Sequence, residues 1–292
     1  DSVKYLISEY QNFKNTYPDH SNTYEATLNQ ALLYAYYLDQ KDSAVNELNR
    51  LIDNNKVTPT LKAKSKIELG DIYLLKEEPW EATLLYSQVE KTQRETPLGY
   101  EAKLRNAKLS YFKGEFLLAQ EHLDILKQAT SREIANDAME LSMRIKENTA
   151  YDTTGASLKE YAAIELLLAQ NKNDIALERL NNFRTNDQVQ TSIKDDVYWL
   201  EANLRMKRGE FDQSIALLEK ILTEFGDDIL ADDAYFLEGE IYELQIKNKD
   251  KAMEIYREFL NKYPGSVYAA EARKRYRMLR GDFSEVDTTP KF

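Results

Sequence analysis

The sequence predicts an all-α protein in which antiparallel helix pairs repeat along the chain as an α-solenoid. Small residues recur at a nearly constant spacing, and each is followed by apolar residues at helical positions. In addition, Gly and Pro are few, with 9 and 6 among 292 residues, while good helix formers such as Ala, Leu, Glu and Lys are plentiful.

The repeat is defined by the residue that opens the apolar stripe of each second helix. Successive anchor residues are 37 or 38 residues apart, except that 57 residues separate Ala119 from Ala176. The residues four and seven positions after every anchor are also apolar, which marks one face of an α-helix. The seven anchors are Leu6, Ala44, Ala82, Ala119, Ala176, Ser214 and Ala252.

A second amphipathic stretch of about 15 residues, a usual helix length, precedes each anchor except the first. A short polar turn joins the two stretches, and several turns contain Gly or Asn, which accept the left-handed conformation of a helix C-terminus. The turns are 39–42, 76–79, 113–115, 171–174, 207–210 and 247–250. Six pairs, one half-repeat, one extra helix and one cap predict about fifteen helices.

The 57-residue interval predicts an extra helix over 131–147, followed by a polar stretch over 149–156. Two interpretations stay open. The polar stretch is a hinge between an N-terminal array (1–148) and a C-terminal array (157–281), or it is an insertion within one continuous solenoid.

The two ends of the chain depart from the helix-pair pattern. Leu6 opens a second helix with no first helix before it, so we expect a longer parent chain or a cap formed by 3–16. At the other end, 267–279 is typical of a capping helix, and we expect 282–292 to be mobile.

The helix pair resembles the tetratricopeptide repeat, whose usual length is about 34 residues. The positions that carry the resemblance are Leu69, Gly70, Tyr73, Ala82 and Tyr86 in one unit, and Gly239, Tyr242, Ala252 and Tyr256 in the last. The resemblance implies a right-handed superhelix whose concave surface, lined by the first helices, binds ligands.

A narrower resemblance links the two ends of the chain. Residues 10–26 and 256–272 share an aromatic residue, a Phe three positions later, and then Tyr-Pro. This pattern is similar to the repeats of bacterial cell-envelope tetratricopeptide proteins, such as the lipoprotein of the outer-membrane assembly machinery and the periplasmic coordinator of the Tol-Pal system. It implies the periplasm, or the periplasmic face of the outer membrane, rather than the cytoplasm.

Transferring the family's groove positions onto this sequence gives a candidate partner-binding surface. Trp199 is its strongest candidate anchor, although simple packing between repeats explains this residue equally well. Trp80 is expected to pack between repeats. The groove residues implied by the resemblance are Ile67, Asp71, Leu104, Lys108, Tyr111, Tyr161, Glu165, Trp199, Asn203, Phe236, Glu240 and Glu243.

Other polar groups suggest structural roles. His122 is expected to be a partly buried structural histidine, and His20 to lie on the surface. Four aspartates, at 227, 228, 232 and 233, fit stabilisation of a helix N-terminus better than a calcium site. The basic run 273–280 indicates a solvated face of the cap, and the alternative is contact with an acidic partner, a lipid head group or nucleic acid.

Composition and motifs favour a protein-binding function. A net charge of −11 argues against nucleic acid, and no apolar run is long enough to span a membrane. With no Cys, two His and no phosphate-binding or hydrolase motif, we expect no catalytic residues, no metal site and no cofactor. We therefore predict a non-catalytic scaffold that binds a peptide or protein subunit. The alternative is a homo-oligomer that associates through its half-repeat ends.

Overall fold

The computed structural model describes residues 2–18, 20–128, 131–150, 154–186 and 191–282. Within these ranges the chain forms fifteen α-helices and no β-strand, as the sequence predicts. The helices are α1 (Ser2–Thr16), α2 (Ser21–Tyr37), α3 (Lys41–Asp53), α4 (Pro59–Leu75), α5 (Pro79–Thr92), α6 (Pro97–Phe112), α7 (Phe116–Leu126), α8 (Arg132–Thr149), α9 (Ala156–Ala169), α10 (Asn173–Arg184), α11 (Lys194–Lys207), α12 (Phe211–Glu224), α13 (Leu230–Glu240), α14 (Lys249–Lys262) and α15 (Ala269–Arg280).

A left-handed residue lies in each of the six turns that join a first helix to its second helix. Gly114 and Gly209 occupy two of these positions with φ of 75° and 77°, and Asn171 occupies a third with φ of 59°. The other three turns use residues without a glycine's freedom: Asp39, Glu77 and Lys247. In every pair this residue precedes the small anchor by five positions. The constant spacing shows that each turn places its second helix in the same register.

The predicted anchors form the core of the helix pairs. Six of the seven, all except Leu6, are completely buried, and the apolar residues four and seven positions later are buried with them. In α1 the stripe that begins at Leu6 is different, because this helix packs against α2 and contains no buried residue. The half-repeat therefore lies on the surface of the helix beside it.

The beginnings of α4 and α6 follow from local chemistry. Thr58 accepts a hydrogen bond from the backbone N–H of Leu61, and Thr96 does the same for Gly99. Each threonine is followed by a proline at the first helical position, where the missing N–H costs nothing. The extra helix predicted over 131–147 is α8, which packs against α7.

Two glycines let second helices approach first helices closely. A Cβ at Gly70 would lie 2.4 Å from Cε1 of Tyr86, and one at Gly239 would lie 2.7 Å from Cε1 of Tyr256. These are the Gly and Tyr positions on which the tetratricopeptide resemblance rests. Because the tyrosine ring already fills the space that a Cβ at position 70 or 239 would need, only glycine fits at these two positions.

The chain divides into two compact units, residues 1–172 and 173–292. Unit 1 has core clusters around Leu48 and Tyr86, and unit 2 has clusters around Leu218 and Phe259. The predicted joint at 149–156 lies inside unit 1 and stays a prediction, since 151–153 are outside the described residues. The tail 283–292, expected to be mobile, is also outside them.

Candidate functional site

The first helices of successive pairs contact one another. In unit 1 these contacts join α2 to α4 and α4 to α6, and α6 then contacts both α8 and α9. In unit 2 they join α11 to α13. We call the surface that these helices share within each unit the first-helix face. All twelve groove residues implied by the sequence lie on its helices or on the short π-helical turn, Ile241–Ile246, that continues α13.

Asp71 is the centre of a polar cluster in unit 1. Its carboxylate accepts a hydrogen bond of 2.6 Å from the Tyr86 hydroxyl and two from Nε of Arg105, at 3.0 and 3.1 Å. Arg105 also donates to Glu101 at 2.8 Å. Burial lowers the pKa of the Arg105 guanidinium, but the charge of Asp71 raises it and prevails. Arg105 therefore stays a cation that fixes both carboxylates.

Beside this cluster, Tyr36 and Glu68 lie in the negative potential of Asp71, which Arg105 offsets only in part. Burial raises the pKa of the Glu68 carboxyl, and the charge of Asp71 adds to the effect. The pKa of the Tyr36 hydroxyl is also raised, by burial and then by Asp71 and Glu68. Tyr36 is nevertheless 43% exposed. No described residue forms an ion pair with Glu68. An exposed tyrosine therefore lies within electrostatic range of a carboxylate whose charge is poorly stabilised.

A second cluster in unit 1 surrounds Glu165 of α9. Its carboxylate accepts a hydrogen bond of 2.7 Å from the Tyr111 hydroxyl and lies 3.5 Å from Nη1 of Arg144. Burial raises the pKa of Glu165 even though Arg144 lowers it. The guanidinium of Arg144 also lies over the ring of Tyr161, 5.6 Å from its centroid. This cluster connects α6, α8 and α9.

Arg275 forms the matching cluster in unit 2. It pairs with Glu243 at 2.9 Å and with Glu240 at 2.8 Å, and Glu243 also accepts a hydrogen bond of 2.7 Å from the Tyr256 hydroxyl. Its guanidinium lies 5.8 Å from the ring centroid of Phe236. Asp71 with Arg105 and Glu243 with Arg275 thus make the same arrangement, in which a buried tyrosine and an arginine of the next first helix share one carboxylate.

Trp199 and Asn203 occupy α11. Trp199 is partly buried and packs against the core cluster around Leu218. Part of its side chain therefore contributes to packing, and the rest is exposed. Asn203 donates a hydrogen bond of 2.8 Å to the backbone carbonyl of Trp199. Nearby, the fully buried Glu201 pairs with Arg184 at 2.8 Å and with Arg205 at 2.7 Å.

The twelve candidate residues fall into two groups. Five are buried and can only support the face: Ile67, Leu104, Tyr111, Tyr161 and Phe236. Seven are partly exposed: Asp71, Lys108, Glu165, Trp199, Asn203, Glu240 and Glu243. Lys108 pairs with Asp137 of α8 at 3.0 Å, and the acidic members are held by arginines. The exposed part of the face is therefore mainly polar.

The arginines of the face were missed by sequence reasoning. Arg105 follows Asp71 by 34 residues and Arg275 follows Glu243 by 32, both somewhat less than the repeat spacing of 37 or 38. A search for opposite charges 32 to 34 residues apart would have found both pairs. Arg275 was predicted to belong to a solvated basic run, and that prediction is wrong for this residue because three carboxylates, of Glu240, Glu243 and Glu271, surround it.

Outside the face, the prediction that Trp80 packs between repeats is wrong. Its side chain is 74% exposed, and Nζ of Lys113 lies 4.3 Å from its ring centroid. Trp80 comes directly after the residue that begins α5, where a side chain can point away from both neighbouring helices. His122 is partly buried, as predicted, and burial lowers its pKa.

The described residues contain no group of His, Cys, Asp or Glu side chains that could hold a metal ion. The four aspartates at 227–233 lie just before or within the first turn of α13. No helix in the described part of the chain combines the length and apolarity needed to cross a membrane.

Comparisons with known proteins agree with the helix-pair pattern at one place. Residues 233–266, which contain most of α13 and all of α14, match the model of the tetratricopeptide repeat family. A tetratricopeptide repeat protein from Parabacteroides merdae is a similar solved structure, with 14% identity, a TM-score of 0.39, and 96% of this chain and 99% of that chain covered. No curated protein matches this chain.

Proposed function

We propose that this chain is a non-catalytic scaffold that binds a peptide or protein subunit on its first-helix face. The family match over 233–266 supports this class of function, because tetratricopeptide repeats generally mediate contacts between proteins. The finer proposal of a place in a bacterial cell-envelope complex rests on the shared Tyr-Pro pattern at 17–18 and 263–264.

The observation that carries the proposal is the electrostatic coupling of the exposed Tyr36 with Glu68. Burial makes the charge of Glu68 costly, the positive charge of Arg105 offsets this only in part, and no described residue forms an ion pair with Glu68. A Lys or Arg side chain of a bound segment would stabilise this carboxylate and lie against the exposed Tyr36 ring. The preferred partner segment of unit 1 is therefore cationic.

Peptides selected by display on the full chain test this proposal. We expect Lys- or Arg-containing peptides to dominate the selection, and their affinity to fall about tenfold for Tyr36→Ala and for Glu68→Gln. Tyr37→Ala is the matched control, since Tyr37 is the neighbouring residue and is 68% exposed. Selected peptides that bind both variants as tightly as the original chain would disprove the first-helix face as the binding surface.

Self-association is a second candidate function, favoured by the exposure of α1. Tyr5 and Leu6 are 66% and 42% exposed, so this half-repeat offers an apolar surface to a second copy. Sedimentation at several protein concentrations distinguishes the two functions. A dimer that Tyr5→Ser converts to monomer supports self-association, and a monomer at all concentrations excludes it.

A further inference from the structure

A groove of about 800 Å³ lies in unit 1, away from the first-helix face. Its walls are the second helices α5 and α7, and its floor is α6. We call it the α5–α7 groove. Two buried polar residues, Asn106 and Ser110, lie on the floor, while Trp80, Leu118 and Ile125 line the walls.

The apolar side chains of the groove walls are unusually exposed. Trp80, Leu118 and Ile125 all belong to the exposed large hydrophobic residues of the chain. Exposed apolar side chains that line one groove in this way mark binding sites on soluble proteins. The helices that bear it are well packed on their other side, since Ala82, Tyr86, Ala119 and Leu123 are buried.

The floor contains an unsatisfied acceptor. Asn106 is only 6% exposed, and its side-chain amide donates a hydrogen bond of 3.2 Å to Oγ of Ser87. Its carbonyl oxygen is buried and accepts no hydrogen bond from any described residue. An unpaired buried carbonyl is costly, so a donor supplied at this groove would stabilise the site.

The groove is cationic on an acidic chain. Its lining carries four cations, Lys91, Arg94, Lys103 and Lys113, against three carboxylates, whereas the chain has a net charge of −11. Lys103 is paired with Glu90, but Lys91 and Arg94 form no ion pair with a described residue. Lys91 lies in the last turn of α5 and Arg94 just beyond this helix, and Trp80 lies at the N-terminal end of α5.

We propose that the α5–α7 groove binds an acidic amphipathic α-helix of a partner protein. Its apolar stripe contacts Trp80, Leu118 and Ile125, and its carboxylates lie beside Lys91 and Arg94. The size fits, because α5 is 14 residues long, or about 20 Å. A helix of that length and about 10 Å diameter occupies roughly 1,600 Å³, so the groove takes about half of it.

A designed peptide tests the proposal with the full chain. The probe is a fluorescein-labelled helix of about 14 residues with Leu along one stripe and Glu elsewhere, and the counter-probe replaces every Glu with the neutral Gln. In fluorescence anisotropy we expect the acidic probe to bind at least about tenfold more tightly than the counter-probe. Added salt should reduce this difference, since exposed charges contribute it.

Variants of the groove locate the binding site. Trp80→Ala and Lys91→Glu should each weaken the acidic probe about tenfold. Leu117→Ala, on α7 but outside the groove lining, and Lys64→Glu, which makes the same change of charge on α4, should not. All four side chains are exposed, so circular dichroism should show unchanged helix content.

Three results would overturn the proposal. The first is no binding of the acidic probe up to about 1 mM. The second is equal binding of probe and counter-probe, or equal binding by the groove variants and their controls. The third is a homodimer that Trp80→Ala dissociates, because the occupant would then be a second copy of this chain.

Discussion

Arg105 stabilises unit 1 by neutralising carboxylates that burial would otherwise destabilise. In Arg105→Ala, Asp71 would lose its two hydrogen bonds from Nε and Glu101 would lose its partner. We expect the free energy of unfolding of unit 1 to fall by about 1–3 kcal/mol, because a half-buried charge is left without a counter-charge.

Urea unfolding monitored by circular dichroism measures this change. Arg50→Ala is the control, since Arg50 is exposed and pairs with Glu47 at 3.3 Å within one helix turn. Exposed pairs of this kind contribute well under about 1 kcal/mol. If the two variants were equally destabilised, the cluster at Asp71 would have no special role in stability.

Gly70 tests the close approach of α4 and α5. In a helix interior, Gly→Ala alone would stabilise by about 1 kcal/mol. Here the new Cβ would lie 2.4 Å from the Tyr86 ring, so we expect a net loss of about 1–3 kcal/mol in the free energy of unfolding. Gly265→Ala is the control, because no atom lies within 4 Å of its added Cβ and its stability should be unchanged or slightly higher. A stabilised Gly70→Ala protein would show that Tyr86 moves aside at little cost.

At the scale of the helix, α13 contains a carboxyl that titrates near neutrality. The pKa of Glu238 is raised to about 7, chiefly by burial and also by Glu219 of α12 and Glu258 of α14, while Lys251 of α14 opposes the rise. The folded state therefore holds this proton more tightly than the unfolded state does. Its contribution to stability is complete below about pH 4.5 and is lost as the pH rises through about 7.

Glu238→Gln removes this loss, since the amide stays neutral. We expect the variant to exceed the original chain in free energy of unfolding by about 3 kcal/mol at pH 8, and by much less at pH 4.5. Glu178→Gln, on the exposed surface of α10 in the same unit, should show no such pH-dependent difference. Denaturation curves of the three proteins at both pH values make the measurement, and parallel pH profiles would rule out the role of Glu238.

Helix periodicity made the helices predictable from the sequence. The contacts between side chains of different helices could be predicted only in part. The anchors at Ala44 and Ala252 locate their helices because one apolar stripe needs only local spacing. The pairing of Asp71 with Arg105 was missed because it depends on how two helices 34 residues apart are stacked. The π-helical turn Ile241–Ile246 was missed because a shift of hydrogen-bond register leaves the apolar pattern almost unchanged.

On the scale of the whole molecule, the two compact units should respond separately to core substitutions. Each unit has its own buried clusters, and in repeat proteins each element interacts mainly with its neighbours. Leu48 of unit 1 and Leu218 of unit 2 are both completely buried. Replacing either with Ala leaves a cavity and should cost its unit about 2–5 kcal/mol.

Hydrogen exchange followed by mass spectrometry resolves the two units in the full chain. We expect Leu48→Ala to accelerate exchange in α2–α6 while α12–α14 stay as protected as in the original chain, and Leu218→Ala to do the reverse. The exposed Leu84→Ala and Leu244→Ala serve as controls in units 1 and 2, since neither removes buried contacts. If either core variant lowered protection equally in both units, the chain would unfold as one cooperative array. In that case the predicted joint at 149–156 would not separate the unfolding of the helices on its two sides.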